Sequence, residues 1–427
     1  MAKKENRHAK LVSASANIEA PYELPEGWTW CQLGDVCKFE NGYAFKSDKF
    51  TTSGIPVIRI TNIKDNEIDL ATCVYTSETD IEERFVVKTG DLLIAMSGAT
   101  TGKNGVYLYD KTVYLNQRVG NIKVINPNIL NDKYRNFYIQ SKEQEILKNA
   151  YGGAQPNISS NKICEMLFPL PPTLAEQQRI VNRIETMFAK LDQAQEKAQS
   201  VLDSFETRKA AILHKAFTGQ LRIDNEELTI EDWEETTIGE CCKLGSGGTP
   251  SKSHPEYYEN GDIPWLKTGE IDWNDIYDVE EKITNEGVEN SSAKIFPAES
   301  VVVAMYGMGV TRGKAAIIKI PTTTNQAVCV LQPNEKLNNR FLFYYFMCNY
   351  WQIREQSVGG NQLNLSGKII ASFPIKLPPL NYQLSIVNFL DTVLEKETRA
   401  KEAAQTVLDQ IALLKKSILA RAFRGEL

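Results

Sequence analysis

Apolar residues at Ile180, Ile184, Met187, Leu191, Ala194, Ala198, Val201 and Phe205 step alternately by four and three, the spacing of a helix face that packs along a partner. The same seam returns at Ile386, Leu390, Val393, Glu397, Ala400, Ala404, Val407 and Ile411, with Glu397 its polar member, and Leu414 and Ile418 prolong it. Two helices with one seam in one register predict a pair packed against each other. The small residues Ala194, Ala198, Ala400 and Ala404 would allow close backbone approach midway along. About 40 residues in each corresponds to roughly 60 Å of helix.

Upstream of each helix the pattern changes to short β-prone runs, such as Ile55 to Ile60, Asp91 to Met96 and Gly105 to Tyr109, punctuated by Gly, Asn, Asp and Thr clusters. A helical segment from Asp132 to Lys148 interrupts the strands, with Tyr134, Phe137, Tyr138 and Ile146 on its apolar face, and Asn338 to Glu355 is its later counterpart. Pro169 to Pro172 and Pro374 to Pro379 stop the last strand and set the angle at which each long helix starts.

The order of elements is stated twice. Gly27-Trp28 and Leu33-Gly34-Asp35-Val36-Cys37 answer to Asp232-Trp233 and Ile238-Gly239-Glu240-Cys241-Cys242. Ile55-Pro56 answers to Ile263-Pro264, Ile94-Ala95-Met96 to Val303-Ala304-Met305, and Asn116-Gln117 to Asn325-Gln326. Gly152-Gly153-Ala154-Gln155 answers to Gly359-Gly360-Asn361-Gln362. Ala216-Phe217-Thr218-Gly219-Gln220-Leu221 and Ala422-Phe423-Arg424-Gly425-Glu426-Leu427 close the copies. A repeat this long implies duplicated domains and not a solenoid. The framework segments agree while loops such as Phe39 to Lys49 and Leu244 to His254 diverge, as two heads for different targets of one class would require.

With 427 residues there is room for two domains and their connecting helices. Neither a signal sequence nor a membrane span is expected, and the reading is a cytoplasmic protein. Eight cysteines without Cys-x-x-Cys spacing are expected as buried thiols. The net charge of −6 argues against a free-standing nucleic-acid binder, so any such contact must come from local loops.

Catalytic signatures are missing. Gly98-Ala-Thr-Thr-Gly102-Lys103 and Gly309-Val-Thr-Arg-Gly313-Lys314 resemble phosphate loops but are one residue short between the glycines and lack Ser or Thr after the lysine. Three histidines, His8, His214 and His254, are too scattered for a metal site or a nucleophile-base pair. Pro171-Pro172 and Pro378-Pro379 lack the polar and aromatic neighbours of a base-methylating tetrapeptide.

What remains is polar loop chemistry at equivalent places. Side-chain amides can read adenine bidentately and arginine can read guanine, while lysines and backbone amides hold phosphates. Asn116-Gln117-Arg118 and Asn325-Gln326 supply such amides, the lysines Lys103 and Lys314 follow glycine loops, and the glycine pairs before Gln155 and Gln362 permit close approach to a ligand.

Leu24-Pro25-Glu26-Gly27-Trp28, the run Leu170-Pro-Pro-Thr-Leu-Ala-Glu-Gln-Gln-Arg-Ile180-Val181 and the two Ala-Phe-x-Gly-x-Leu endings together resemble the type I restriction-modification specificity subunits. The second helix start, Leu377 to Val387, is one residue shorter and lacks the Glu-Gln-Gln run. The resemblance implies an α+β chain of two tandem mixed α/β target recognition domains, joined and spaced by two long antiparallel coiled-coil helices with pseudo-twofold symmetry. It implies a polar tail over 1–20, expected to be disordered, recognition domains over 21–172 and 222–379, and long helices over 173–221 and 380–427. Each domain would read half of a bipartite, asymmetric site in double-stranded DNA. Within that picture the candidates for DNA contact are Lys46, Arg59, Asn62, Lys103, Asn116, Gln117, Arg118 and Gln155 in the first copy. In the second they are Thr249, Lys252, Lys267, Arg312, Lys314, Asn325, Gln326 and Gln362. Glu176, Gln177 and Arg179, on the first long helix, are candidates for contact with a protein partner. The helices would set the spacer and dock two methyltransferase (modification) subunits, with restriction (motor-nuclease) subunits completing the assembly. No cofactor is expected in this chain. S-adenosylmethionine, ATP and magnesium would sit on the partners. The alternative is a coiled-coil adaptor that binds proteins and no DNA.

Overall fold

The computed structural model describes residues 20–64, 66–77, 81–150, 156–223, 226–227, 233–307, 309–358 and 363–427. All of the expected disordered tail except Ala20 lies outside them. The chain divides into two compact units, Met1–Ala198 with Thr406–Leu427, and Gln199–Gln405. The division passes through both long helices, Leu174–Phe217 and Leu380–Ala422, and not at the prolines that precede them.

In the first unit a six-stranded sheet runs in the order Cys37–Asn41, Val119–Val124, Leu92–Ala95, Asn104–Val106, Asn66–Ile68, Ile63–Lys64. Leu92–Ala95 is buried throughout, as a central strand of four apolar residues should be. A four-stranded sheet orders Val74–Thr76, Ile55–Ile58, Val113–Leu115 and Val86–Val87, with the middle two parallel. Thr29–Gln32 pairs antiparallel with Leu167–Leu170, so the first and last strands of the globular part meet beside the start of the helix.

The second unit repeats this layout. Cys242–Ser246, Val328–Pro333, Val301–Ala304, Ala315–Ile318 and Asp275–Ile276 form one sheet, and Lys282–Ile283, Ile263–Leu266 and Thr323–Thr324 another. Glu234–Thr237 pairs antiparallel with Pro374–Leu377. The segment expected as one helix over Asp132 to Lys148 is two, Asp132–Ser141 and Glu143–Lys148, broken at Lys142, whose ψ is near zero. Its counterpart breaks likewise at Asn349, between Asn339–Cys348 and Tyr350–Glu355. Asn131 and Asn338 cap the longer pieces by accepting backbone N–H bonds in the first turn.

Each unit contains two helical segments running in opposite directions. In the first, Lys415 pairs with Asp192 at 2.6 Å and the Arg179 guanidinium donates to the Leu427 carbonyl at 2.9 Å. In the second, Lys401 lies 4.5 Å from the centre of the Phe205 ring and Arg208 pairs with Glu397 at 2.8 Å. The arginine accounts for the polar member of the second seam. The Phe-x-Gly-x-Leu endings also find their reason here. Phe423 packs edge-on against Tyr134 and Tyr138 at 5.2 and 5.1 Å, while Phe217 packs on Phe341 and Tyr345 at 5.0 and 5.6 Å. Gly425 takes the left-handed conformation that ends the helix, at φ 75°, and a Cβ there would lie 2.1 Å from Cγ of Pro25 in the opening motif.

All eight cysteines are free thiols, five of them buried, and burial pushes the Cys37 thiol up to about 12. Among the described residues no helix is long and apolar enough to cross a membrane.

Candidate nucleic-acid interface

In the first unit the loops after three strands meet along one edge. The Asn116 N–H donates to the Ile58 carbonyl at 3.0 Å, Tyr43 and Gln117 exchange backbone bonds with this turn at 2.8 Å each, and the Met96 N–H donates to the Arg118 carbonyl at 3.0 Å. Gly42 is obligatory in this meeting, because a Cβ would lie 2.1 Å from the Asn116 carbonyl oxygen. The result is a rim on which Lys46, Gln117 and Arg118 are exposed and Asn116, Arg59 and Lys103 half-buried. Among the described residues, Lys46, Lys103 and Arg118 have no ion-pair partner. Cations and amides on one edge suit a polyanion whose bases carry hydrogen-bonding edges.

The second unit builds the same edge with other side chains. The Asn325 N–H donates to the Leu266 carbonyl at 3.1 Å and the Met305 N–H to the Ala327 carbonyl at 2.8 Å. Gly247 takes the place of Gly42, with a Cβ position 1.9 Å from the Thr324 carbonyl. On this frame the Thr249 hydroxyl donates to Oε1 of Gln326 at 2.6 Å, and Lys252 and Gln326 are exposed. Lys103 and Lys314 occupy equivalent loop ends, following Gly102 and Gly313 at φ 89° and 88°. The strands before them receive the same bonds, from the Gly102 N–H to Ala95 and from the Gly313 N–H to Ala304.

Charge is distributed differently on the two rims. Lys267 is bound to Glu281 at 2.6 Å, which holds its ammonium above the usual lysine range, and Lys314 is bound to Asp272. Burial, and then the neighbouring Arg354, hold the Arg312 guanidinium below the usual arginine range. Part of the second rim's positive charge is thus already compensated within its own unit.

Two candidates need correction. Asn62 is fully buried, and its amide donates to the Asp69 carbonyl and the Thr72 hydroxyl while accepting the Arg59 N–H at 2.8 Å. Both amide N–H groups and the side-chain oxygen are engaged in holding a turn out of solvent, so it offers nothing to a base. Gln177 is not a partner-facing residue either, because it is fully buried. Its Oε1 accepts the Asn131 N–H at 2.8 Å and its amide donates to the Ile129 carbonyl at 2.9 Å. Gln383 repeats this arrangement on Asn338 and Lys336. Glu176 and Arg179 stay at the surface, paired at 2.8 Å, which holds the Glu176 carboxyl below its usual range. Gln155 and Gln362 lie outside the described residues.

The residue types singled out above omit several on the rims. Tyr43 and Tyr306 are 37% and 39% exposed, enough to offer a ring face or hydroxyl. Arg354, from the short helix behind the loop, reaches the Gly309 carbonyl at 2.7 Å. Tyr43 carried a signal, being next to Gly42 in a loop that diverges between copies. Arg354 carried none, because Leu147 stands at the matching place of the first copy.

A family model described as the type I restriction modification DNA specificity domain matches residues 25–202 and again residues 230–408. The chain is similar to the type I restriction enzyme EcoBI specificity subunit of Escherichia coli, at 26% identity over 96% of this chain and 88% of that protein. Its fold is like that of a chain from a solved type I R-M system, with a TM-score of 0.74, 19% identity, and coverage of 95% of this chain and all of that one. The HsdS subunit from Thermoanaerobacter tengcongensis is also alike in fold, with a TM-score of 0.64, 20% identity, and coverage of 96% of this chain and 100% of the other. Matched twice, once on each rim-bearing unit, the chain belongs to the type I restriction modification DNA specificity domain family.

Proposed function

We propose that this chain is the DNA-reading specificity subunit of a type I restriction-modification assembly, with each rim reading one half of a bipartite, asymmetric target. The observation that carries this reading is the pair of equivalent strand-end rims, built on the same backbone bonds but bearing different side chains. One framework with two unlike rims is what two unlike half-sites require. Base preference would come from Gln117, Arg118, Thr249 and Gln326, and phosphate contact from Lys46, Lys103 and Lys252. The long helices would set the distance between half-sites and dock two methyltransferase subunits, with Glu176 and Arg179 on the docking face. Restriction subunits would complete the assembly in the cytoplasm. This chain would be non-catalytic, with S-adenosylmethionine, ATP and magnesium held by the partners. A chain of net charge −6 fits such sharing, since the partners would supply much of the phosphate contact.

Co-expression with the cognate methyltransferase subunit, followed by mapping of methylated adenines in host DNA, tests the reading. The expected motif is two unlike halves separated by a fixed gap. With a competent methyltransferase, either no methylation or a continuous palindrome would overturn it and favour the protein-binding adaptor.

A further inference from the structure

The two rims differ in how their glycine loops are held. In the first unit the loop after Met96 reaches Lys103 quickly and is tied locally, with the Thr101 hydroxyl donating to the Gly98 carbonyl at 2.7 Å and to the Pro156 carbonyl at 3.2 Å. In the second unit the path from Met305 to Lys314 is longer, and its backbone is held from behind by Arg354 together with Tyr350. Arg354 donates from Nη2 to the Gly309 carbonyl at 2.7 Å and from Nη1 to the Arg312 carbonyl at 2.5 Å, and Nη1 also lies 3.1 Å from the Tyr350 hydroxyl. That hydroxyl in turn donates to the Val310 carbonyl. Three carbonyls within four residues are thereby captured. The guanidinium itself is braced between rings, 5.1 Å from the centre of Tyr350 and 5.6 Å from that of Trp351.

The matching place in the first unit is settled by contact. A Cβ on Gly102 would sit 3.3 Å from Ile146 and one on Gly313 3.5 Å from Ile353, so Arg354 corresponds to Leu147. An aliphatic side chain cannot capture carbonyls. Among the described residues the matching position of the first rim therefore carries no such clamp. What it presents outward is Val310, 57% exposed, and Arg312, whose side chain reaches the Leu363 carbonyl.

We infer that Arg354 is a positioning residue for target reading by the second unit, holding Gly309 to Gly313 by its backbone so that Val310 and Arg312 meet DNA in one conformation. The inference rests on the half-site reading proposed above. A fork that bridges two carbonyls is a geometric device which lysine, a single point donor, cannot reproduce. Loss of the clamp frees the loop to present several conformations, and discrimination by the second rim falls while the first is untouched.

The test compares the full chain with Arg354→Lys and Arg354→Met, each co-expressed with the methyltransferase subunit, by mapping methylated motifs. Both variants should keep the gap and one half of the motif unchanged and accept additional bases in the other half, with discrimination there falling about tenfold. A purely structural role would lower methylation at all sites without changing which bases are accepted. If the wild-type chain gives no bipartite motif, the half-site reading fails. If it gives one and both variants keep it intact, the Arg354 assignment fails. Should Arg354→Met not accumulate, Arg354→Lys decides alone. Failure of both to assemble would make Arg354 part of the unit's framework and overturn the positioning role.

Discussion

Arg208 and Glu397 meet at 2.8 Å between opposed helical segments of the second unit, at the place where the otherwise apolar seam carries a charge. Leu414 and Leu191 stand at the corresponding positions of the repeat. Both charged side chains are partly exposed, so the pair is worth little in itself, but removing one member strands the other. Glu397→Ala should lower the stability of the chain by about 1 kcal/mol. The double change Arg208→Leu with Glu397→Leu should recover most of that or exceed it. Chemical denaturation of the three proteins checks this, and a double variant weaker than the single one would refute it.

Gln177→Ala and Gln383→Ala should each cost about 1–3 kcal/mol, because each removes a fully buried amide and leaves a half-buried cap N–H and a backbone carbonyl without that partner. Glu176→Ala, one residue away and at the surface, should cost under about 1 kcal/mol. If Gln177→Ala left stability unchanged but abolished partner association, its role would revert to docking.

Gly425→Ala imposes a left-handed backbone on a residue with Cβ and drives that atom into Pro25. A loss of at least about 1 kcal/mol is expected, against no loss for Gly269→Ala, where nothing lies within 4 Å. Equal melting temperatures for the two variants would contradict this.

Glu40 is partly buried, which raises its pKa, but Lys123 at 2.7 Å and Lys38 at 2.7 Å lower it further, so the net shift is downward. A carboxyl with a depressed folded value contributes stability above its unfolded value and loses it as pH falls through the folded one. Glu40→Gln should therefore be less stable than wild type near neutral pH, and the two should converge below about pH 4. A gap that stays constant down to pH 3 would exclude the ion pairs as its source.

Arg118→Ala should weaken specific binding by the assembled complex about tenfold and relax base preference in one half of the target only. Affinity and preference measured with half-site variants of the mapped motif decide it. No change in either would remove Arg118 from the interface.

The long helices and the duplication were legible because an apolar seam such as Ile180 to Phe205 is a local periodicity, visible without knowing any distant partner. Strand pairing was not, since a run as short as Asn104–Val106 also pairs in parallel with Asn66–Ile68, far back along the chain. The amides misled for a reason of the same kind. Asn62 and Gln177 look identical in sequence to exposed amides, and only the folded chain reveals that their hydrogen bonds are satisfied internally. A usable signal did exist for Gln177. It recurs as Gln383 at the matching start of an amphipathic helix, where a residue shared by both copies serves packing, unlike the shared Asn116-Gln117 and Asn325-Gln326, which stand in polar loops. Divergent positions such as Lys46 and Lys252 were therefore the better guides to the rims, while Arg354 stayed invisible because its task is defined by a loop's length and its bond by carbonyls.

The aromatic pocket of the first unit is completed by Phe423, and Gly425 rests on Pro25 nearby. Deleting residues 422–427 would therefore injure the reading head translated first, hundreds of codons upstream, and leave the contacts of Phe217 in the other head in place. Losing Phe423 alone would remove about 3–5 kcal/mol from that distant core. Mutational damage in this gene would thus map onto half-sites in an order that the position of the codons does not reveal.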